Sequence, residues 1–264
     1  MPAPINPFKA ALAARTPQIG LWLALASPVA AELCAHAGFD WLVVDGEHAP
    51  NDIPSILAQV QAIGSRSHAV VRPPVGEVHR IKQILDIGVQ TVLVPMIETA
   101  DQARLMARAM VYPPHGVRGV GAALARASAY SAIPDYLTTA NDQTCLILQV
   151  ESRTALTNIE AIAEVSGADG ILIGPSDLAA DMGFLGRPGA PEVQVAVEAA
   201  IARIIASGKP AGIMTGDLKL AQHYLDLGAT FVAVGNDVSL LMQAATHTRR
   251  QFASDDNAAA PKGY

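Results

Sequence analysis

The chain has little cysteine, little lysine and few aromatic residues, and it lacks a long apolar run. Two cysteines in 264 residues cannot build a disulfide framework. Cys145 opens an apolar run and Cys34 lies in an alanine-rich helical pattern, so both read as small buried fillers. Five lysines are present, Lys9, Lys82, Lys209, Lys219 and Lys262, and none ends a strand-like run. A Schiff-base mechanism needs a desolvated lysine in the pocket, so carbanion chemistry here would need a metal as electron sink. No apolar stretch reaches the roughly 18 residues of a membrane-spanning helix. The net charge of −6 argues against nucleic acid or an anionic membrane surface as partner. The opening Met1-Pro-Ala-Pro-Ile-Asn-Pro has no basic stretch followed by an apolar core, so no signal peptide is expected, and the expected location is cytoplasmic.

What is present is a regular alternation. Eight short apolar runs read as strands: Gln18–Leu25, Phe39–Asp45, Ala69–Arg72, Thr91–Pro95, Cys145–Glu151, Asp169–Gly174, Pro210–Thr215 and Thr230–Gly235. Between most of them lie segments of helical spacing: 52–63, 78–87, 100–110, 155–165, 192–207 and 218–227. Strict β–α alternation with continuous apolar strands predicts parallel strands covered by helices. No G-x-G-x-x-G opens a helix after the first run, which removes the usual mark of a dinucleotide-binding sheet. Eight units in about 250 residues predict an α/β fold, a TIM (β/α)8 barrel, as a single domain over 1–253 with a tail at 254–264. Gly38, Gly88, Gly167 and Gly228 each precede an apolar run. They read as left-handed helix ends turning into strands. The segment 112–143 breaks this rhythm and is too long for an ordinary connection. It starts on the amino-terminal side of the barrel, so it must cross the barrel or reach a neighbouring subunit to shape an active site.

Four runs end on residues able to do chemistry. In a barrel such ends converge on one face. Glu151 and Asp177 follow adjacent strands, and two carboxylates without a soft ligand suit a hard divalent cation such as Mg2+ or Mn2+. Taken singly, Glu151 could instead pair with Arg153, and Asp177 could cap the next helical turn. His48 follows the second run and is the candidate general base, with Asp45, Glu47 or Asp86 as carboxylate partner. Arg72 ends the third run before Pro73-Pro74 and offers a permanent cation to a carboxylate or developing enolate. Gly174-Pro-Ser176-Asp177 reads as a strand entering a helix, whose first amides can accept an anion. The acidic Thr215-Gly216-Asp217 and Gly235-Asn236-Asp237 turns speak against a phosphorylated substrate.

Several motifs carry a resemblance: Gly38-Phe-Asp-Trp-Leu-Val-Val-Asp45-Gly-Glu-His48-Ala-Pro, Val94-Pro-Met, Tyr112-Pro-Pro-x-Gly-x-Arg-Gly, Gln149-x-Glu151 and Gly174-Pro-Ser-Asp177-Leu. Together they resemble the HpcH/HpaI aldolase family along nearly the whole chain. The resemblance implies a metal-dependent (class II) pyruvate aldolase using Mg2+, Mn2+ or Co2+, on a phosphoenolpyruvate/pyruvate-type barrel. It also implies a homohexamer, a trimer of dimers, with the eighth helix swapped between paired subunits. By the same likeness Glu151 and Asp177 are metal ligands, His48 is the base and Asp86 the acid that raises its basicity. Arg72 stabilises the enolate, Gln149, Ser176 and Asp177 contact pyruvate, and Met214 shapes the acceptor pocket. The implied reaction cleaves 4-hydroxy-2-oxo acids, such as 4-hydroxy-2-oxoheptanedioate, to pyruvate and an aldehyde, here succinic semialdehyde. The alternatives are a 2-keto-3-deoxy-sugar-acid aldolase giving lactaldehyde or tartronate semialdehyde and, further off, an acyl-CoA lyase or a non-catalytic barrel that binds oxo acids. Arg118 and Arg126 are candidates for holding a free acceptor carboxylate.

Overall fold

A computed structural model describes residues 1–252; the expected tail at 254–264 lies outside them. The elements, in order, are α1 (Pro7–Ala13), β1 (Gln18–Leu23), α2 (Pro28–His36), β2 (Trp41–Asp45), α3 (Ile53–Ile63), β3 (His68–Arg72), α4 (Val78–Asp86), β4 (Thr91–Val94), α5 (Ala100–Met110), α6 (Tyr136–Gln143), β5 (Cys145–Val150), α7 (Arg153–Thr157), α8 (Ile159–Ala163), β6 (Gly170–Ile173), α9 (Pro175–Asp181), α10 (Pro191–Ala206), β7 (Ala211–Met214), α11 (Leu218–Asp226), β8 (Phe231–Asn236) and α12 (Asp237–Arg250). The eight strands close into one parallel barrel, with β8 returning to β1. All eight expected strands are present. The helix expected over 155–165 is instead two short helices, α7 and α8, meeting at Asn158.

Strand alternation divides the apolar runs between two cores. Leu42, Val44, Val71, Val92, Leu148 and Ile173 face the surrounding helices. Trp41, Val43, Val70, Leu93, Ile147, Leu172 and Phe231 fill the barrel. Gly20 and Gly212 leave room for this filling, because a Cβ on either would collide with the ring of Trp41 or Phe231. Phe8 and Leu12 of α1 close the amino-terminal end and belong to the same inner cluster. The four expected helix ends hold: Gly38, Gly88, Gly167 and Gly228 all have φ between +87° and +97°, where a Cβ is costly.

The segment after α5 packs beneath the barrel. Tyr112, Ala122, Ala125, Ala127, Tyr136 and Ala140 form a small cluster with Ala3 of the amino-terminal strap. The strap is tied there by Ala3 N–H to Thr139 Oγ1 at 2.8 Å and Asn6 N–H to Gln143 Oε1 at 2.9 Å. Within one chain this segment therefore does not reach the carboxyl-terminal mouth. At the other extreme of the fold, α12 makes its main contacts with β1 and β8 alone. It leaves Leu240, Leu241 and Met242 exposed. No helix among the described residues is long and apolar enough to cross a membrane.

One histidine is built into the floor. The His68 ring stacks on Phe8 at 5.5 Å, and its Nε2 lies 2.7 Å from Thr91 Oγ1. Part of the residue reaches the surface, but its ring is enclosed, and burial pulls its pKa down to about 4. An unfolded histidine titrates near 6.5. The stability this site contributes is therefore complete above about pH 6.5 and lost as pH falls toward 4, at most about 3 kcal/mol. Chemical denaturation at pH 7.5 and pH 5 should show that loss in the wild type and a flatter profile in His68→Gln. Equal pH dependence of the two proteins would remove His68 as its source.

Candidate active site

The mouth is built on a register pair. Asp45 and Arg72 are direct partners across β2 and β3, and both are the inward-facing last residues of their strands. Arg72 Nε donates to Asp45 Oδ1 at 2.9 Å and Nη2 to Oδ2 at 2.7 Å. Both side chains are buried, and the guanidinium carbon sits 5.1 Å from the centroid of the Trp22 ring. Burial raises the Asp45 carboxyl, but the hydrogen bonds and charge of Arg72, with the amides of Glu47 and His48, leave it below the ordinary range. Those two amides donate to Asp45 Oδ1 at 2.9 and 3.4 Å, which folds the chain after β2 back over the pair. Gly46 sits in this turn because its amide donates to the Arg72 carbonyl at 2.7 Å and a Cβ would meet that same oxygen.

The turn presents Glu47 and His48. Glu47 Oε2 lies 2.7 Å from Arg72 Nη1 and 3.8 Å from His48 Nε2. The arginine contact is ionic in distance but off the donor axis, so Oε2 has no aligned hydrogen bond. The His48 side chain is 67% exposed, open to a substrate, whereas Glu47 is 15% exposed. Burial pushes the Glu47 carboxyl up against the opposing pull of Arg72 and His48, and Asp45 and Asp177 push it further.

Glu151 follows β5 and is buried. Its Oε1 accepts the Met96 amide at 2.8 Å, and its Oε2 accepts from the Gln149 side chain. Met96 holds a left-handed φ of 55° just past β4, the turn from which its amide reaches the carboxylate. Gly174, at the end of β6, is required beside it, since a Cβ there would collide with the Glu151 carboxylate. Burial raises the Glu151 carboxyl; the Gln149 and Met96 hydrogen bonds oppose this, and Asp177 and Glu47 add to it. Asp177 and Ser176 are exposed in the first turn of α9, where backbone amides have no intrahelical acceptor. Arg153 pairs with Asp181 at 3.2 Å rather than with Glu151.

Four carboxylates, Asp45, Glu47, Glu151 and Asp177, thus face one arginine. Gln149 also keeps a buried Oε1 without a partner. A divalent cation held by Glu151 and Asp177 fits this excess of oxygen donors and negative charge. Among the described residues no group of three His, Cys, Asp or Glu donors forms a cage, so such a cation would keep positions for water and a chelating substrate. Met214 is half-buried at the end of β7 and packs on the inner cluster.

Three expected residues are not at the mouth. Asp86 is the last residue of α4, which runs back from the mouth, so it lies at the opposite end of the barrel from His48. There it accepts from Arg118 Nη2 at 2.8 Å. Within one chain the expected His48–Asp86 contact is therefore not made. Arg118 is buried with its guanidinium carbon 4.4 Å from the Tyr112 ring centroid, and Arg126 donates to the Ile87 carbonyl at 2.8 Å. Neither can meet an acceptor bound in the same chain's mouth. The reading from sequence missed Trp22, the Met96 amide and the double hold on Arg72. Only the inward phase shared by Trp22, Asp45 and Arg72 hinted at it.

The sequence profile of the HpcH/HpaI aldolase/citrate lyase family matches residues 18–244. A hydroxypyruvate/pyruvate aldolase of Deinococcus radiodurans is 60% identical over 248 residues, covering 94% of this chain and 90% of its own. A 4-hydroxy-2-oxo-heptane-1,7-dioate aldolase of Escherichia coli is 54% identical over 260 residues, covering 98% and 99%. Among solved structures, an HpcH/HpaI aldolase/citrate lyase family protein from Burkholderia cenocepacia superposes with a TM-score of 0.90 at 40% identity, covering 94% of this chain and 100% of its own.

The packing around Glu151 generates two expectations. A buried carboxyl with a raised pKa favours the folded state while protonated, and that contribution is lost as pH rises through the folded value. Glu151→Gln should therefore raise Tm in metal-free buffer at pH 7, by about 2–4 °C for each kcal/mol of relief, with a smaller gain in acid. Its new amide is accommodated by a flip of Gln149, whose Oε1 is free to accept. Gly174→Ala should lower Tm and metal affinity together. A Glu151→Gln protein less stable than wild type without metal would contradict this account of the site.

Proposed function

The chain belongs to the HpcH/HpaI aldolase/citrate lyase family, and from that membership we propose how its mouth works. The protein is a carbon–carbon lyase, a class II pyruvate aldolase that reversibly cleaves 4-hydroxy-2-oxo acids, 4-hydroxy-2-oxoheptanedioate among them, to pyruvate and an aldehyde. The observation that carries this reading is the arrangement of an exposed imidazole, a buried arginine and a buried carboxylate at three strand ends of one barrel mouth. Glu151 and Asp177 hold a divalent cation, Mg2+, Mn2+ or Co2+, which supplies Lewis-acid stabilisation of the negative charge formed on the 2-oxo acid.

The chain's own groups do the rest. The first-turn amides at Ser176 and Asp177, with Gln149, orient the carboxylate of the 2-oxo acid. His48 takes the proton of the C4 hydroxyl. The C3–C4 bond breaks, its electrons pass to the pyruvate enolate, and C4 leaves as the aldehyde carbonyl. Arg72, held rigid by Asp45, keeps N–H groups available for the developing oxyanion. Protonation of C3 then releases pyruvate, and the reverse order makes the carbon–carbon bond. For the heptanedioate the aldehyde is succinic semialdehyde, with Met214 bordering its tail. A second donor, hydroxypyruvate, is favoured by the likeness to the Deinococcus enzyme.

We place the enzyme in the cytoplasm as a homo-oligomer, a hexamer of paired subunits exchanging α12. The exposed apolar positions of α12, and Val120 and Leu124 of the long segment at 66% and 88% exposure, support burial against other copies. Because Asp86 is committed to the floor of its own chain, any action of it on His48 would come from another copy.

Pyruvate in D2O should lose its methyl proton signal in the presence of enzyme and Mg2+, and keep it with EDTA. Arg72→Ala should lower the exchange and cleavage rates by about 10²–10³ while weakening metal binding far less. It should also cost about 3–5 kcal/mol of stability, since two carboxylates lose their cation. No exchange with any metal would defeat the aldolase reading.

A further inference from the structure

We propose that Glu47 is a positioning residue of the reaction, whose Oε2 holds the Arg72 guanidinium and the His48 imidazole in a fixed relation across the barrel mouth. The inference rests on the aldolase reading and extends it to a residue that sequence reasoning weighed only as a partner for His48.

The geometry is specific. Asp45 occupies the Nε and Nη2 edge of Arg72 and fixes the guanidinium plane, which leaves Nη1 outside that pair. Glu47 Oε2 meets that end at 2.7 Å. The same oxygen is 3.8 Å from His48 Nε2, the shortest approach of any carboxylate to this ring among the described ion pairs. Asp45 contacts His48 through the backbone amide alone, and Asp86 is at the other end of the barrel. The charged groups facing Glu47 are Arg72, His48, Asp45 and Asp177, and Glu151 senses it from β5. A carboxylate in this position does two things. It sets the face that the base presents. It also gives the guanidinium a second anchor at Nη1, so that Arg72 meets the developing oxyanion without reorganising.

The two effects predict a signature that a merely structural residue would not give. In Mg2+-saturated holoenzyme, Glu47→Gln keeps the shape and removes the charge. The expected result is a fall in kcat of about 10- to 100-fold, with KM for the 4-hydroxy-2-oxo acid changed by no more than about twofold. Glu47→Asp should recover part of the rate. Bound metal per subunit, measured by elemental analysis, should stay at the wild-type value in Glu47→Gln.

An unchanged rate would overturn the proposal. So would loss of metal from Glu47→Gln, which would make Glu47 a ligand instead. A fall in kcat in Asp86→Asn with none in Glu47→Gln would likewise overturn it, by assigning the partnership to a neighbouring copy. Wild-type enzyme that neither exchanges nor cleaves would instead defeat the aldolase reading on which the proposal rests.

Discussion

The Asp45–Arg72 pair is the constraint around which the mouth is arranged. Two neighbouring strands in register point an acid and a base inward at the same height. There, out of water, the bidentate geometry is strong only because both partners stay charged. The pair fixes the cation, and the cation fixes Glu47. The backbone amides that Asp45 Oδ1 accepts fix the turn that carries His48. A single ion pair thus sets the relative positions of the groups assigned to base and to charge stabilisation. Leaving either partner alone in that environment would cost more than the pair itself contributes.

The opposite wall follows a different logic. Glu151 is not neutralised by a cation in the chain; it is held by an amide from β4, a side-chain amide from β5 and the absence of a side chain at Gly174. Those contacts orient the carboxylate without satisfying its charge. Such an arrangement is stable only at a cost, which a bound divalent cation offsets. The mouth therefore divides into a half whose charge is closed internally, around Arg72, and a half left open toward ligand.

The barrel was legible because its signals are local. Continuous apolar runs, helical spacing between them and glycines at the helix ends each depend on a few neighbouring residues, and all eight strands were recovered. The candidate site was legible as a set of strand ends: His48, Arg72, Gln149, Glu151, Asp177 and Met214 do gather at one end. Asp86 shows where reasoning within one chain ends. Its place late in a helix that runs back from the mouth, two residues before Gly88, already pointed to the floor of the barrel. A contact with His48, as the likeness to the family implies, would have to come from another copy. Arg118 and Arg126 could not be placed at all, because a 32-residue segment without periodicity carries no local direction.

By itself, then, the sequence determined the number of strands, their parallel order and which polar residues would stand at the mouth, since hydrophobic period and glycine conformation act over a few residues. Tertiary structure alone decided which of those residues touch. Whether Arg72 meets Asp45, Glu47 or a substrate depends on strand register and inward phase. The hold on Glu151 depends on a left-handed Met96 and an empty Gly174 position from two other strands. These are relations between residues far apart in the chain, set by closure of the barrel, and no local pattern encodes them.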